Sequence, residues 1–496
     1  MIKNSVPLSL LLLATAPARA QPPEGQATSP PIEQEIDVGP PETAGLTLSA
    51  LYQEGGLTAA EVAERAGSTA PSLERARFAA QAASAGADRA WYGVLPRLEL
   101  SARYTRLSDV EQPSFGGPVD PRVDETIDAV ADPAAQGLFR GIFDSFGNLE
   151  FPVVLNQYAL RASLSYPVSD LFFTILPAYR ASSDFADAQR LQVEAQEQTI
   201  RLQAREAYYS YARAQGALLV AESTVGQIEA HRQNVSALVE AGVAAPVDLM
   251  RVDAQLASAR VGVARARAGV AISASAIRTL MHEEGDDPII PLGENLLAIP
   301  AAPNGTRAEL LARARERRAE LRALRLVATG REHAASARQG ERYPHLGVQA
   351  SYDLANPNQR VFPQTEEFHG TWDVSVVLSW SPNDALTGQA GVSQAEAELA
   401  QARADIAALG DAVALEVAQA YETFEAARGA LEAAQTGIQA AEESYRVRTE
   451  QMRAGTAVTS DLIDAESELT RARLQLLDAM IDVHIADARL DRVLGS

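Results

Sequence analysis

Hydrophobic positions in the C-terminal half fall at Val392, Ala395, Leu399, Ala402, Ile406, Leu409, Val413, Val417, Ala420, Phe424, Ala427, Leu431, Ala434, Ile438, Ala441 and Tyr445. The steps alternate between three and four residues, with an additional four between Leu409 and Val417. That rhythm predicts a coiled-coil seam carrying a stutter, over a helix of about 391–454 that would be roughly 95 Å long. An earlier seam runs from Ile200 through Ala204, Ala207, Tyr211, Ala214, Leu218, Ala221 and Val225 to Ile228. Shorter helices are expected at about 57–92, 246–283, 306–341 and 458–494, stacking end to end in pairs beside the long ones.

Between the helices lie four runs of strict alternation. Leu98, Leu100, Ala102 and Tyr104 form one apolar face, and Leu160, Ala162, Leu164 and Tyr166 another. Leu346, Val348, Ala350 and Tyr352 form the third, and Trp372, Val374, Val376, Leu378 and Trp380 the fourth. The strands are expected at about 97–106, 157–168, 345–354 and 371–381. Their length and aromatic ends suit transmembrane β-strands with interfacial girdles. A soluble sheet packed on a helix is the alternative for any one strand, and it weakens when all four share the pattern. Four strands cannot close a barrel, and an open edge cannot face lipid. Two copies would supply eight strands and three would supply twelve.

The chain is written twice. Residues 240–249, EAGVAAPVDL, match residues 453–462, RAGTAVTSDL, and Gly242 and Gly455 lie 213 residues apart. The same offset pairs Asp248 with Asp461, Leu249 with Leu462, and Ala207-Tyr208 with Ala420-Tyr421. Upstream, Leu164-Ser165-Tyr166 resembles Leu378-Ser379-Trp380, and Leu95-Pro96-Arg97-Leu98 resembles Tyr343-Pro344-His345-Leu346. A period this long signals duplication of a domain-sized unit: helix, strand, strand, long helix, tight turn, helix. The expected organisation is a first repeat at 45–283, a linker at 284–305 and a second repeat at 306–496. Residues 107–156 would form a long acidic, Pro/Gly-rich insertion in the first repeat, exposed and outside the core, with Phe139, Phe143 and Phe146 as material for a small plug or lid helix.

Composition narrows the classes. The chain has 496 residues, 43 basic and 65 acidic side chains and no cysteine. A net charge of -22 opposes binding to nucleic acid or anionic lipid. The absence of cysteine removes disulfides, thiolate metal sites and cysteine lipidation. Met1–Lys3, the apolar run from Leu8 to Ala14 and Ala18-Arg19-Ala20 read as a signal peptide over 1–20. A Pro-rich leader, disordered or extended, follows at 21–44. No segment has the roughly 18 consecutive apolar residues of a transmembrane helix.

At this point the pattern resembles the TolC-type outer-membrane efflux protein family. The residues that carry the resemblance are Ala241-Gly242-Val243 with Asp248-Leu249, Ala454-Gly455-Thr456 with Asp461-Leu462-Ile463-Asp464, Pro96 and Pro344, and Leu378-Ser379-Trp380-Ser381-Pro382. It extends over nearly all of 45–496. It implies a mostly helical chain with membrane β-structure, forming a homotrimer with a twelve-stranded barrel and a long periplasmic helical tunnel. It implies an exit duct for an inner-membrane pump and a periplasmic adaptor, in drug or metal-ion efflux or type I secretion. The hairpin tips Gly242, Val243, Asp248, Gly455 and Thr456 would meet the adaptor, and Asp461 and Asp464 match the acidic ring at the family's periplasmic entrance. The family archetype locks its closed tip with an arginine where this chain has Ala457.

The residues themselves add that Asp461 and Asp464, three apart, share one helix face that Glu468 extends. Position on the helix macrodipole accounts well for Asp461 and less well for the other two. Glycine at 242 and 455 suits a turn with positive φ. The six histidines are scattered, without metal-ligand spacing, and read as surface or loop residues. No nucleotide-binding or nucleophile motif is present, so neither enzyme activity, cofactor nor energy-coupling site is expected. Two other classes compete. A periplasmic coiled-coil structural protein or adaptor would lack the duplicated hairpins and aromatic-ended strands, and a high-salt wash of outer membranes would release it. A general porin would be mostly strand.

Overall fold

The structure is a computed structural model that describes residues 51–109, 121–147, 154–285, 290–454 and 456–495. The expected signal peptide and leader, 1–20 and 21–44, lie outside the described residues. Among the described residues no helix is long and apolar enough to cross a membrane.

The first repeat opens with strand β1 (Tyr52–Leu57), helices α1 (Ala59–Thr69) and α2 (Pro71–Tyr92) and strand β2 (Arg97–Arg106). The following segment carries α3 (Pro121–Asp128) and α4 (Pro133–Gly147), and strand β3 (Asn156–Tyr166) comes next. A short helical lead and a π-helical turn at Leu171–Ile175 feed α6 (Leu176–Glu240), where α5 denotes the lead Val168–Asp170. Helix α7 (Pro246–Met281) completes the hairpin. The second repeat contains α8 (Arg307–Arg317), α9 (Ala319–Gly340), β4 (His345–Asn356), β5 (His369–Ser379), α10 (Pro382–Arg453) and α11 (Thr459–Leu494). At 72 residues α10 is roughly 110 Å long. It starts earlier than its seam suggests, because Pro382 at the first turn and the Ser381 hydroxyl, accepting from the Asp384 N–H, fix its start.

Two expected single helices are each broken into two. Ala70, between α1 and α2, has ψ 121°, and Arg318, between α8 and α9, has ψ 122°. Pro71 disfavours helical backbone at Ala70. No proline follows Arg318. Its nearly buried guanidinium instead bonds the Glu416 carboxylate and lies 3.5 Å from Glu320. The breaks are 248 residues apart, the offset that also joins Pro96 to Pro344. The same offset joins two capping boxes. Thr58 and Glu61 exchange side-chain and backbone hydrogen bonds at the start of α1, and Thr306 and Glu309 do so at the start of α8.

The four long strands form one antiparallel sheet in the order β2-β3-β4-β5. Its register places the apolar residues on a single face: Leu98 opposes Leu164, Tyr104 opposes Tyr158, Leu160 opposes Leu354, and Tyr352 opposes Trp372. That face is open, with Leu100, Trp372 and Val376 among its exposed residues. The other face is polar. There Arg161 grips Asp353, with Nη2–Oδ2 at 3.1 Å, and Arg360 reaches Asp373 at 2.8 Å. Strands β2 and β5 are its two free edges.

The core lies lower, where α1, α6, α8, α10 and α11 meet around Tyr208, Tyr211, Phe424, Leu469 and Ile481. The inter-repeat linker is strapped onto it. The Tyr211 hydroxyl donates to the Ile290 carbonyl and accepts from its N–H. Glu294 accepts from the Tyr209 hydroxyl at 2.9 Å and the Ala59 N–H at 3.1 Å. Strand β1 pairs with the linker through the Leu57 N–H to the Pro291 carbonyl and the Gly293 N–H to the Leu57 carbonyl.

Candidate functional site at the helix tips

Each repeat ends its coiled-coil hairpin in a turn of the same design. In the first, the N–H groups of Val243 and Ala244 both donate to the Leu238 carbonyl, at 2.9 and 3.1 Å. In the second, those of Thr456 and Ala457 both donate to the Gln451 carbonyl, at 2.9 and 3.3 Å. These bonds satisfy carbonyls that a helix end leaves unpaired. Gly242 has φ +71°, which explains glycine there. Gly455 lies outside the described residues. The Thr456 hydroxyl also donates to Gln451 O, which assigns that side chain to the turn itself.

The surface of the tips is apolar. Val243, Val247 and Met250 are exposed on the first hairpin and Val458 on the second. Contiguous exposed apolar side chains mark interaction surfaces. Asp248 is less available. It sits three residues into α7, where an acid favours the helix dipole, and lies 3.6 Å from Arg251.

The acidic trio on α11 divides. Asp461 occupies the first turn and lies 3.7 Å from Arg448 of α10, so part of its charge is balanced. Glu468 pairs with Arg471 at 2.7 Å. Asp464 is exposed, and among the described residues no ion pair or hydrogen bond is recorded for its carboxylate. The neighbouring residues Leu462, Ala465 and Leu469 are buried.

The expectation that the histidines are surface or loop residues fails for two. His231 and His484 are buried. His484 stacks on Tyr209 and its Nε2 lies 3.0 Å from the Leu296 carbonyl. His231 lies 3.1 Å from the buried Glu466 carboxylate, one turn above Asp461 and Asp464. The signal was present: continuing the seam three residues past Ile228 lands on His231 and four more on Val235. No cluster of three or more metal-ligating side chains occurs among the described residues.

A four-stranded sheet with one lipid-like face, joined to rods roughly 100 Å long that end in paired turns, defines a β-anchored helical duct. The sequence matches the family of outer membrane efflux proteins over residues 62–282 and 310–496, and the chain belongs to that family. No curated protein matches it by sequence. Its fold is similar to that of the outer-membrane channel OprN, at 20% identity with TM-score 0.69, covering 91% of this chain and 90% of that one. The Campylobacter jejuni CmeC outer membrane channel is similar at 14% identity and TM-score 0.66, covering 96% and 94%. The open state of the Neisseria gonorrhoeae MtrE outer membrane channel is similar at 18% identity and TM-score 0.69, covering 88% and 89%. The protein is therefore an outer-membrane transport channel, not an enzyme, with its helices in the periplasm.

Proposed function

We propose that the chain works as a homotrimer in which twelve strands close a barrel in outer-membrane lipid and the helices form a periplasmic tunnel. It serves as the passive exit duct of a tripartite efflux or type I secretion system. A periplasmic adaptor docks at the tips, on Gly242, Val243, Asp248, Gly455 and Thr456, and links the duct to an inner-membrane pump. Asp461 and Asp464 form the gate. Cleavage after a signal peptide at 1–20, the leader at 21–44, repeats at 45–283 and 306–496 and the linker at 284–305 belong to the same reading.

The observation that carries it is the open sheet. Its apolar face suits lipid, yet β2 and β5 leave unpaired edges that lipid cannot satisfy, so further copies must complete it. The exposed Val243, Val247, Met250 and Val458 support docking at the tips. The free, exposed Asp464 supports an acidic ring that concentrates cations.

The test is single-channel recording of the reconstituted protein with Asp461→Asn and Asp464→Asn combined. The wild type should prefer cations and be blocked by multivalent cations from the periplasmic side. The variant should lose both while remaining trimeric. Unchanged selectivity and block remove these residues from the gate, and a monodisperse monomer that conducts ions overturns the trimer.

A further inference from the structure

Duplication sets a rule for how the hairpins pack. Helix α11 repeats α7 at the 213-residue offset, both are 36 residues long, and α10 repeats α6. Within one chain α6 packs against α11. Arg205 lies 3.1 Å from Asp491, Arg213 pairs with Asp482, the hydroxyls of Thr224 and Thr470 are 3.1 Å apart, and Tyr209 stacks on His484. The same rule sets α10 against α7, yet those faces lie open in one chain. Tyr209, His231 and His484, buried along the α6–α11 seam, correspond to Glu422 and Ser444 of α10 and Ala271 of α7, all exposed. The sheet is unfinished on the same terms, with β2 and β5 as free edges. A second copy of the chain supplies what both lack.

Charge favours that partner. Helix α7 carries five arginines against two acids, and α10 carries twelve acids against five arginines. Opposite net charge draws α7 of one copy to α10 of the next. Position by position, however, the cross-links of the within-chain seam are gone. The counterparts of Arg205–Asp491, Arg213–Asp482 and Thr224–Thr470 are Ala418–Arg278, Ala426–Gly269 and Gly437–Ala257. Each of these has at least one member without a polar side chain, so none can form an ion pair or a side-chain hydrogen bond. The His231–Glu466 contact, at 3.1 Å, becomes Ser444–Asp253, and Asp253 is already held by Arg232 of its own hairpin.

We infer that the seam between copies is a slip plane: α7 of one copy meets α10 of the next through small side chains and diffuse charge, and the duct opens by sliding there while the two hairpins of each chain move as one body. The inference rests on the trimeric duct proposed above. Small side chains bury little apolar area, so a shift along the seam loses little. Attraction between helices of opposite net charge needs no fixed partners and survives such a shift. The within-chain seam is different. Sliding α11 along α6 would part Arg205 from Asp491, Arg213 from Asp482 and Thr224 from Thr470 together, and would unpack the buried Tyr209 and His484.

The chain has no cysteine, so paired cysteines report on one seam at a time. Ala257→Cys with Gly437→Cys spans the seam between copies, and a Cβ built at Gly437 meets nothing within 4 Å in its own chain. Thr224→Cys with Thr470→Cys spans the seam within a chain. Each full-length protein is oxidised, run on a denaturing gel, recorded in planar bilayers, then reduced and recorded again. The first pair should give covalently linked trimers and lose all openings until it is reduced. The second should run as a monomer with its thiols consumed, and should open as often oxidised as reduced. Loss of opening in the oxidised second pair, thiols left free in it, or equal behaviour of the two pairs in the bilayer overturns the slip plane. So does a protein of trimer mass in detergent whose first pair does not link. A monomer mass in detergent overturns the trimer itself, so the two failures are distinguishable.

Discussion

Gly340, the last residue of α9, is where a single methyl group should do most damage for its size. A Cβ built there lands 2.4 Å from the Phe173 carbonyl oxygen, 2.6 Å from the Thr174 hydroxyl and 2.7 Å from the Phe173 carbonyl carbon. Carbon needs roughly 3.5 Å from such atoms, so an overlap of about 1 Å must be relieved. Two of the three obstacles are backbone and cannot rotate away. Overpacking of this kind costs about 1–3 kcal/mol. The helix propensity gained by replacing glycine with alanine returns less than about 1 kcal/mol, because the site is at a helix end. Gly340→Ala should therefore lose about 1–2 kcal/mol. Gly429, in the interior of α10, has no atom within 4 Å of its built Cβ, and Gly429→Ala should gain about 0.5–1 kcal/mol. The assay is denaturant unfolding of the detergent-solubilised protein, followed by its far-UV helical signal at fixed protein concentration. If Gly340→Ala proves as stable as the wild type while Gly429→Ala shows its gain, the close approach is not a packing constraint.

Three further outcomes are expected. Thr58→Ala and Thr306→Ala each remove one capping box and should each cost about 1 kcal/mol in the same unfolding assay, with near-additive effects in the double variant. Burial raises the Glu320 pKa, but its own backbone N–H, Arg492 and Arg318 outweigh that and hold the carboxyl below its ordinary value. The stability it contributes is therefore present above the unfolded-state pKa and lost as pH falls through the folded one. Glu320→Gln should cost about 1–3 kcal/mol at neutral pH and flatten the acid limb of the stability profile, and an unchanged limb would count against this pairing. Asp464→Asn alone should remove more cation preference than Asp461→Asn alone, because Arg448 already balances Asp461; single-channel reversal potentials decide, and equal effects would argue that the Arg448 contact is absent in the working channel.

Periodicity made the long helices and the strand faces legible, since burial on one side writes a repeat of 3.5 or 2 into the sequence. The face each side chain takes in the sheet follows from the same alternation, and the pairing of Tyr104 with Tyr158 and of Tyr352 with Trp372 sets aromatic residues side by side on that face. The breaks at Ala70 and Arg318 are written less evenly into the sequence. Pro71 marked the first, but the second depends on Arg318 finding Glu416 and Glu320, one of them nearly a hundred residues away. The capping boxes are legible as Thr58-Ala-Ala-Glu61 and Thr306-Arg-Ala-Glu309, a threonine with a glutamate three residues on. The acidic residues on α11 could be found by spacing. Their inequality could not, because it comes from Arg448 on another helix. His231 could have been placed in the core by extending the seam one step. Its partner Glu466 could not, because a glutamate between buried leucines reads as a surface residue until the opposing imidazole is in place.

The duplication also explains an asymmetry that neither repeat reveals alone. The offset between equivalent residues is 248 at Pro96 and Pro344, 214 at Leu164 and Leu378, and 213 at Ala207 and Ala420. The first drop falls across the longer loop between β2 and β3. The second leaves the first repeat with one extra residue between its second long strand and its long helix. A helix can absorb one extra residue without losing register on either side by widening a single turn to π geometry. That turn occurs at Leu171–Ile175 in the first repeat, while α10 runs unbroken from Pro382. The widened turn brings the Phe173 carbonyl against the end of α9, and there the chain has Gly340. The residue equivalent to Gly340 in the first repeat is Tyr92, whose large side chain is exposed. One inserted residue in one repeat is thus met by one missing side chain in the other, which is how two copies of a single design fit together without being identical.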